Sequence, residues 1–296
     1  MTIDQLDALL ALVEHGTTGR AATALRITQS AVSKRVSALE DNVGAELLEK
    51  DGRRVRLTTH GARFVRRVRG PLGDLKSALL LEDSAPRGTI SISVSESVLS
   101  SWGAGLLAVA ARSIEGLVLQ PHAHRSPVAL DRVRSGDCLL ALVAGESDAA
   151  SDLDFFELLE EEMVLVPAQG QGAALRRALA SREPIPVLTI EPTAATWRSV
   201  ARRLPHLRRE AGVELVVEHV VESFACAVQM ARAGMANALA PLGVVRALGV
   251  RRPLRFPAPG LVRPVSVAAR KTTFNRALVR EFVAALHEQV ARGPGA

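Results

Sequence analysis

The sequence predicts an α/β protein: a small helical N-terminal domain, a long connecting helix, and a larger C-terminal portion in which strands and helices alternate. Three observations lead there. Residues 3–43 carry three apolar helical periods separated by turn signals. From Thr59, apolar residues recur at steps of three and four. Beyond Gly88, short β-rich runs alternate with helical ones.

The 296 residues exceed one small domain and suggest roughly two to three compact units. Hydrophobic residues make up 48%, enough for substantial cores, yet no apolar run approaches the roughly 20 residues of a membrane span. The start, MTIDQLDALL, has no basic segment and carries acids early, so a secretory signal is not predicted. Cys138 and Cys226 fit no metal or redox spacing, and a reduced, cytoplasmic compartment is expected. The net charge of +6 permits nucleic-acid binding without establishing it. Its placement says more: Arg53, Arg54, Arg56, Arg63, Arg66, Arg67 and Arg69 crowd one short region, while acids dominate residues 157–162.

In the first helix Leu6, Leu9, Leu10 and Val13 share a face, and Gly16 ends it. Thr17 or Thr18 caps a short second helix with Ala21, Ala22, Ala24 and Leu25. Arg26-Ile27-Thr28 is a tight turn into a third helix from Gln29 to about Asp41. Its inward face is Ala31, Val32, Val36 and Leu39; its outward face is Gln29, Ser30, Ser33, Lys34 and Ser37. Two helices joined by a short turn, the second apolar inside and hydrogen-bonding outside, form a helix-turn-helix, whose second helix presents its first turns to base edges and phosphates. Asp51-Gly52 turns between two extended pieces, 46–50 and 53–57, that make a wing with Arg53 and Arg54 at its tip. The candidate DNA contacts are Thr28, Gln29, Ser30, Ser33, Lys34, Ser37, Arg53 and Arg54.

The stretch AATALRITQSAVSKRVSALEDNVGAELLEKDGRRVRLTTHG resembles the DNA-binding signature of LysR-type transcription regulators. The shared elements are Ala21-Ala22, Leu25, the run Thr28 to Ser33, Leu39-Glu40, Gly44, Leu47, Leu57-Thr58 and Gly61, a long motif with fixed internal spacing. Thr18 and Leu48 depart from it, standing where aromatic residues are usual.

Val65, Val68, Leu72, Leu75 and Leu79 follow a heptad seam with arginines opposite. The resemblance implies a homodimer paired through this helix, and a homotetramer as the fuller assembly; a helix packed on its own domain is the alternative. Gly70-Pro71 predicts a bend rather than a break. Residues 84–88 read as a hinge. Strands are then expected at 89–95, 117–123, 138–143, 186–190, 215–220 and 265–269, with a second run beginning at 162–167. Helices are expected at 97–111, 127–135, 173–180, 197–203 and 223–233, with one more at the C-terminus. This alternation predicts parallel sheets with helices on both faces. The resemblance implies a two-lobed, periplasmic-binding-protein-like α/β effector domain, crossed twice by the chain. The expected organisation is a winged helix-turn-helix over 1–60, a linker helix over 61–85, lobe 1 over 88–161 and 264–296, and lobe 2 over 162–263.

Ligands of open α/β sheets bind beyond the carboxyl ends of strands. Candidate effector residues at those strand ends are Ser95, Glu96, Ser97, His124, Arg125, Ser126, Gly145, Thr193, Thr196, Trp197, Glu222 and Ser223. The runs SVSESVLSSW and VVESFACAVQMARAGM are similar to the branch of the family that regulates basic amino-acid export, ArgP- and LysG-like. That similarity implies lysine or arginine as effector, with Ser97 or a helix N-terminus on the carboxylate and Glu96 or Glu222 facing an amine. The expected partners are double-stranded promoter DNA and a small-molecule effector, with RNA polymerase a further candidate and no membrane. Another metabolite as the signal, or none at all, stays open. An enzyme on the α/β portion lacks parts: there is no nucleophile elbow, metal cluster or phosphate loop, and neither cofactor nor catalytic residue is predicted. Gly170-Gln171-Gly172 lacks the third glycine of a dinucleotide loop, and His122 with His124 lacks a third metal ligand. Both cysteines read as buried structural thiols, and the acids Glu160, Glu161 and Glu162 as a solvated lobe boundary.

Overall fold

In the computed structural model, which describes residues 1–52, 54–80, 88–145, 152–191 and 195–293, the chain divides into two compact units, Met1–Leu75 and Lys76–Ala296. Arg53, Thr193 and the hinge residues 84–87 lie outside the described residues.

The first unit is built by local polar closures around an aliphatic core. Helix α1 (Ile3–His15) opens on a capping box in which Thr2 and Gln5 exchange hydrogen bonds, and it closes on Gly16 at φ 71°. Thr17 rather than Thr18 caps α2 (Thr18–Leu25). Arg26 then takes a left-handed conformation, and Thr28 caps α3 (Gln29–Val43). Strands β1 (Leu48–Asp51) and β2 (Arg54–Leu57) pair antiparallel, with Asp51 opposite Arg54. Glu40 Oε1 accepts from the amides of Leu47 and Leu48 and so fixes where the wing leaves α3. At Gly61 a Cβ would lie 1.9 Å from the carbonyl oxygen of Leu47, so only glycine lets the next helix approach that loop.

Helix α4 (Thr59–Leu80) runs unbroken through Pro71. Val65, Val68 and Leu72 pack into the core formed by Leu9, Val32, Leu39 and Leu47, while Leu75 is exposed. The first three seam positions thus face their own domain, the alternative the sequence left open, since heptad spacing specifies an apolar partner without specifying whose it is.

In the second unit, β3 (Gly88–Ser95) is followed by α5 (Glu96–Val98), a π-helical turn (Leu99–Gly103) and α6 (Ala104–Arg112), a run that had been expected as one helix. Next come β4 (Leu117–His124), α7 (Ser126–Ser135), β5 (Leu140–Ala144) and β6 (Leu153–Val166). Then follow α8 (Gly172–Ser181), β7 (Ile185–Ile190), α9 (Ala195–Ala211), β8 (Leu215–Val221) and α10 (Phe224–Arg232). The chain finishes through β9 (Ala238–Pro241), α11 (Leu242–Ala247), β10 (Leu254–Arg255), β11 (Val262–Arg270), α12 (Lys271–Phe274) and α13 (Ala277–Ala291).

The sheet order is β4-β3-β5-β11-β6-β9-β7-β8, with β10 on β6. The outer strands are parallel, as alternation predicts, but β11 runs antiparallel to β5 and β6, and β6 antiparallel to β9. One apolar core gathers Ile90, Val94, Leu107, Leu142, Leu158, Val265 and Phe282. A second gathers Met163, Leu165, Val187, Val200, Val228, Leu239 and Leu261. Strand β6 therefore leaves the first core at Leu158 and enters the second at Met163, and the chain returns between Leu261 and Val265.

Residues 153–161 had not been expected as strand, because their acids hide the alternation. The structure explains the charge: Glu160 pairs with Arg203, Glu162 with Arg255 and Glu161 with Arg263. Glu161 is 6% exposed and lies directly opposite Arg263 on β11, so the solvated boundary is corrected at that residue.

Candidate functional site

The recognition face of the first unit is laid out by α3. Val32, Val36 and Leu39 are buried, which turns Gln29, Ser30, Ser33, Lys34 and Ser37 outward, all of them exposed. Thr28 is exposed as well, but its hydroxyl accepts from the Ala31 amide and sits 3.0 Å from Ser30 Oγ; its visible work is the cap. Arg35 is held by Asp4 at 2.8 Å, and Arg56 by Glu49 across the wing. Arg54 lies in β2 at the turn.

In the second unit, seven of the twelve candidate effector residues line one cleft: Ser95, Glu96, Ser97, Arg125, Ser126, Thr196 and Glu222, joined by Pro127, Ile190 and Phe224. Residues from the junctions after β3, β4, β7 and β8 converge there, and β3 runs directly into its helix. Ser223 touches the cleft through a long 3.5 Å bond to the Glu96 carboxylate, while its main bond caps α10 through the Ala225 amide. His124 turns back to Ser93 Oγ at 2.8 Å, and burial, Arg132 and His122 hold its pKa below the usual value. The Gly145 amide is committed to the Pro264 carbonyl, and Trp197 packs against the second core. Those last three are not among the residues lining the cleft.

The hydrogen bonds assign directions. Arg263, 1% exposed, gives Nε and Nη2 to Glu161 Oε2 and sends Nη1 to Ser97 Oγ at 3.0 Å and Thr196 Oγ1 at 3.5 Å. A guanidinium only donates, so both hydroxyls accept from it. Thr196 spends its own proton on the Ala144 carbonyl. Ser97 has only Ser95 Oγ at 3.4 Å, which leaves its proton available to an occupant of the cleft. Arg125 is paired with Glu191 at 3.0 Å, whereas Glu96 and Glu222 have no ion-pair partner among the described residues. The cleft therefore offers one hydroxyl donor and two uncompensated carboxylates. Its volume is about 50 Å³, space for a few water molecules.

Arg263, which closes the floor of the cleft, was missed by sequence reasoning. It lies in a run, Leu261-Val262-Arg263-Pro264-Val265, with no strand-end signal, and its partner is 102 residues away. Cys138 is buried as expected, and burial raises its thiol pKa; Cys226 is exposed, a correction to the reading of two buried thiols. Among the described residues no group of three potential metal ligands occurs, and no helix is long and apolar enough to cross a membrane.

A winged helix-turn-helix and, in the same chain, an α/β unit with a polar cleft define a DNA-binding protein with an effector-binding domain. Residues 3–62 match the bacterial regulatory helix-turn-helix model of the lysR family, and residues 83–291 match the LysR substrate-binding domain. The chain belongs to the LysR family of transcription regulators, and it is not an enzyme. It is 23% identical over 296 residues to an uncharacterized HTH-type transcriptional regulator of Vibrio cholerae, covering 99% of this chain and 98% of that protein. To a probable hydrogen peroxide-inducible genes activator of Mycobacterium leprae it is 26% identical, covering 98% and 94%. The crystal structure of ArgP from Mycobacterium tuberculosis shares the fold at a TM-score of 0.58 and 22% identity, covering 96% of this chain and 95% of that one.

Proposed function

We propose that α3 and the wing read a promoter while the cleft senses a cationic amino acid, lysine or arginine being the leading class. The observation that carries this reading is the pair of uncompensated carboxylates, Glu96 and Glu222, beside the free proton of Ser97. An α-carboxylate suits the hydroxyl, and an ammonium or guanidinium suits the acids. The likeness of residues 93–102 and 220–235 to regulators of basic amino-acid export points the same way. The base contacts fall to Gln29, Ser30, Ser33, Lys34 and Ser37, with Arg54 on the phosphates. The two cores support a lobe formed by 88–161 and 264–296 and another formed by 162–263, with the ligand between them.

At about 50 Å³ the cleft is too narrow for an amino acid, so binding selects an arrangement with the lobes further apart. That differential affinity is what couples to DNA, in a homodimer that pairs through α4 and contacts RNA polymerase at the promoter.

The test is thermal stabilisation of the full chain against an amino-acid panel. Lysine or arginine raises Tm with concentration as mass action requires, and Glu96→Gln removes the shift while promoter binding stays intact. An undiminished lysine and arginine response in Glu96→Gln would overturn this assignment of the cleft.

A further inference from the structure

Helix α13 buries one stripe and exposes the next. Val279, Phe282, Val283 and Leu286 enter the core that holds Ile90 and Val265, while Arg280, Ala284 and His287 face outward. With the start of β6 and the end of α12, this face of α13 walls a groove of about 750 Å³, the size of a small-molecule site. The groove shares no lining residue with the cleft. Phe155, Phe156 and Phe274 line it, three of the seven phenylalanines in a chain that is 3% aromatic. Phe156 is 41% exposed, and its ring meets the His287 imidazole edge-on, with centroids 5.7 Å apart. A solvated phenylalanine propped against an imidazole is a platform on which another ring can pack.

The charges of the groove are unequally matched. Glu288 is paired with Arg292 at 3.7 Å. Asp154 and Arg280 have no ion-pair partner among the described residues, and they do not pair with each other. Both stand at one end. Helix α13 runs along β6 in the same sense: Phe156 meets His287, and three residues further along each element Leu159 and Val290 line a common space. Asp154 precedes Phe156 by two residues and Arg280 precedes His287 by seven, so carboxylate and guanidinium lie on the same side of the aromatic pair. Strand β11 ends opposite Leu153 and α12 follows at once, which brings Phe274 to that end as well.

A wholly apolar occupant would leave both charges unanswered. An apolar acid would leave Asp154, and an apolar amine would leave Arg280. A ring carrying an anionic and a cationic group on one short head answers all of them. We propose that the Phe156 groove binds an aromatic α-amino acid, with its ring on Phe156 and His287, its carboxylate on Arg280 and its ammonium on Asp154. This site is independent of the cleft reading, and the two fail separately.

The full-length protein is titrated calorimetrically with L-phenylalanine and L-tyrosine, and with phenylacetate and phenethylamine, each of which lacks half of the head. The expected result is saturable binding of at least one amino acid, with both truncated ligands at least tenfold weaker. Asp154→Asn lowers the affinity for the amino acid at least tenfold and leaves that for phenylacetate unchanged. Arg280→Gln weakens the amino acid equally and leaves phenethylamine unchanged. Ala284→Phe, which fills the groove from an exposed position, abolishes binding, whereas Glu96→Gln in the cleft leaves it intact. Absence of saturable binding with both amino acids, or binding undiminished in Ala284→Phe, overturns the site. Binding lost in Glu96→Gln and kept in Ala284→Phe moves the ligand to the cleft and also overturns it. Phenylacetate or phenethylamine binding as tightly as the amino acid overturns the zwitterionic head.

Discussion

The two units of this chain use polar side chains over different distances. In the first, the organising bonds are local: Thr2 to Gln5, Thr17 to Arg20 and Thr28 to Ala31 each span three residues. In the second, Glu161 joins Trp102 across 59 residues and Arg263 across 102. Local caps set where an element starts, and each contributes modestly. A long-range buried pair sets how whole halves of a sheet meet, and losing one member strands a charge.

The largest expected effect follows from that contrast. Arg263→Ala leaves Glu161 buried and uncompensated and should cost about 3–5 kcal/mol of stability, read as a fall in the denaturant midpoint. The Arg263→Met, Glu161→Leu double variant should recover most of that loss, since an apolar pair of similar size removes the stranded charge. A single-variant cost below about 1 kcal/mol, on the scale of an exposed ion pair, would show that the bridge is no stronger than the surface pairs around it. Thr28→Ala should cost about 1 kcal/mol, the usual value of a cap, with its loss confined to the first unit. A cost equal to that of Arg263→Ala would erase the distinction between the units.

The smallest effect concerns His124. Burial, reinforced by Arg132 and His122, lowers its folded pKa below the usual 6.5. As pH falls through 6.5 the unfolded chain takes up the proton first, so the stability present above that pH declines toward the lower folded pKa. His124→Asn should flatten the stability profile below pH 6.5 and leave it unchanged at pH 8.

The same contrast explains what the sequence made legible. Gly16, Thr28, Gly44 and the alternating faces of α3 announce themselves within a few residues, and α1 to α3 follow directly from them. The strand-end rule brought Ser95, Glu96, Ser97, Arg125, Ser126, Thr196 and Glu222 to one cleft, because each sits where a strand gives way to a helix. The same rule misplaced Gly145, whose amide belongs to the sheet, and Trp197, whose ring fills a core. Strand β6 and Arg263 stayed hidden, since an acid-rich run reads as solvated until its arginines are known, and those arginines come from α9, β10 and β11. Val65, Val68 and Leu72 gave the right period and left their partner undetermined.

The Arg125–Glu191 pair has a consequence for how the cleft responds to salt. It ties the end of β4 to the end of β7 across the cleft, away from the crossing strands β6 and β11, with side chains 45% and 34% exposed. Counter-ions reach such a pair readily, whereas Glu161–Arg263, 6% and 1% exposed, is shielded from them. Raising the salt concentration therefore loosens the mouth of the cleft and leaves its axle intact. Because the pair bridges only the narrow arrangement, weakening it shifts the balance toward the wider one by no more than an exposed ion pair is worth, about 0–1 kcal/mol, which makes ionic strength a fine adjustment of how readily the cleft opens.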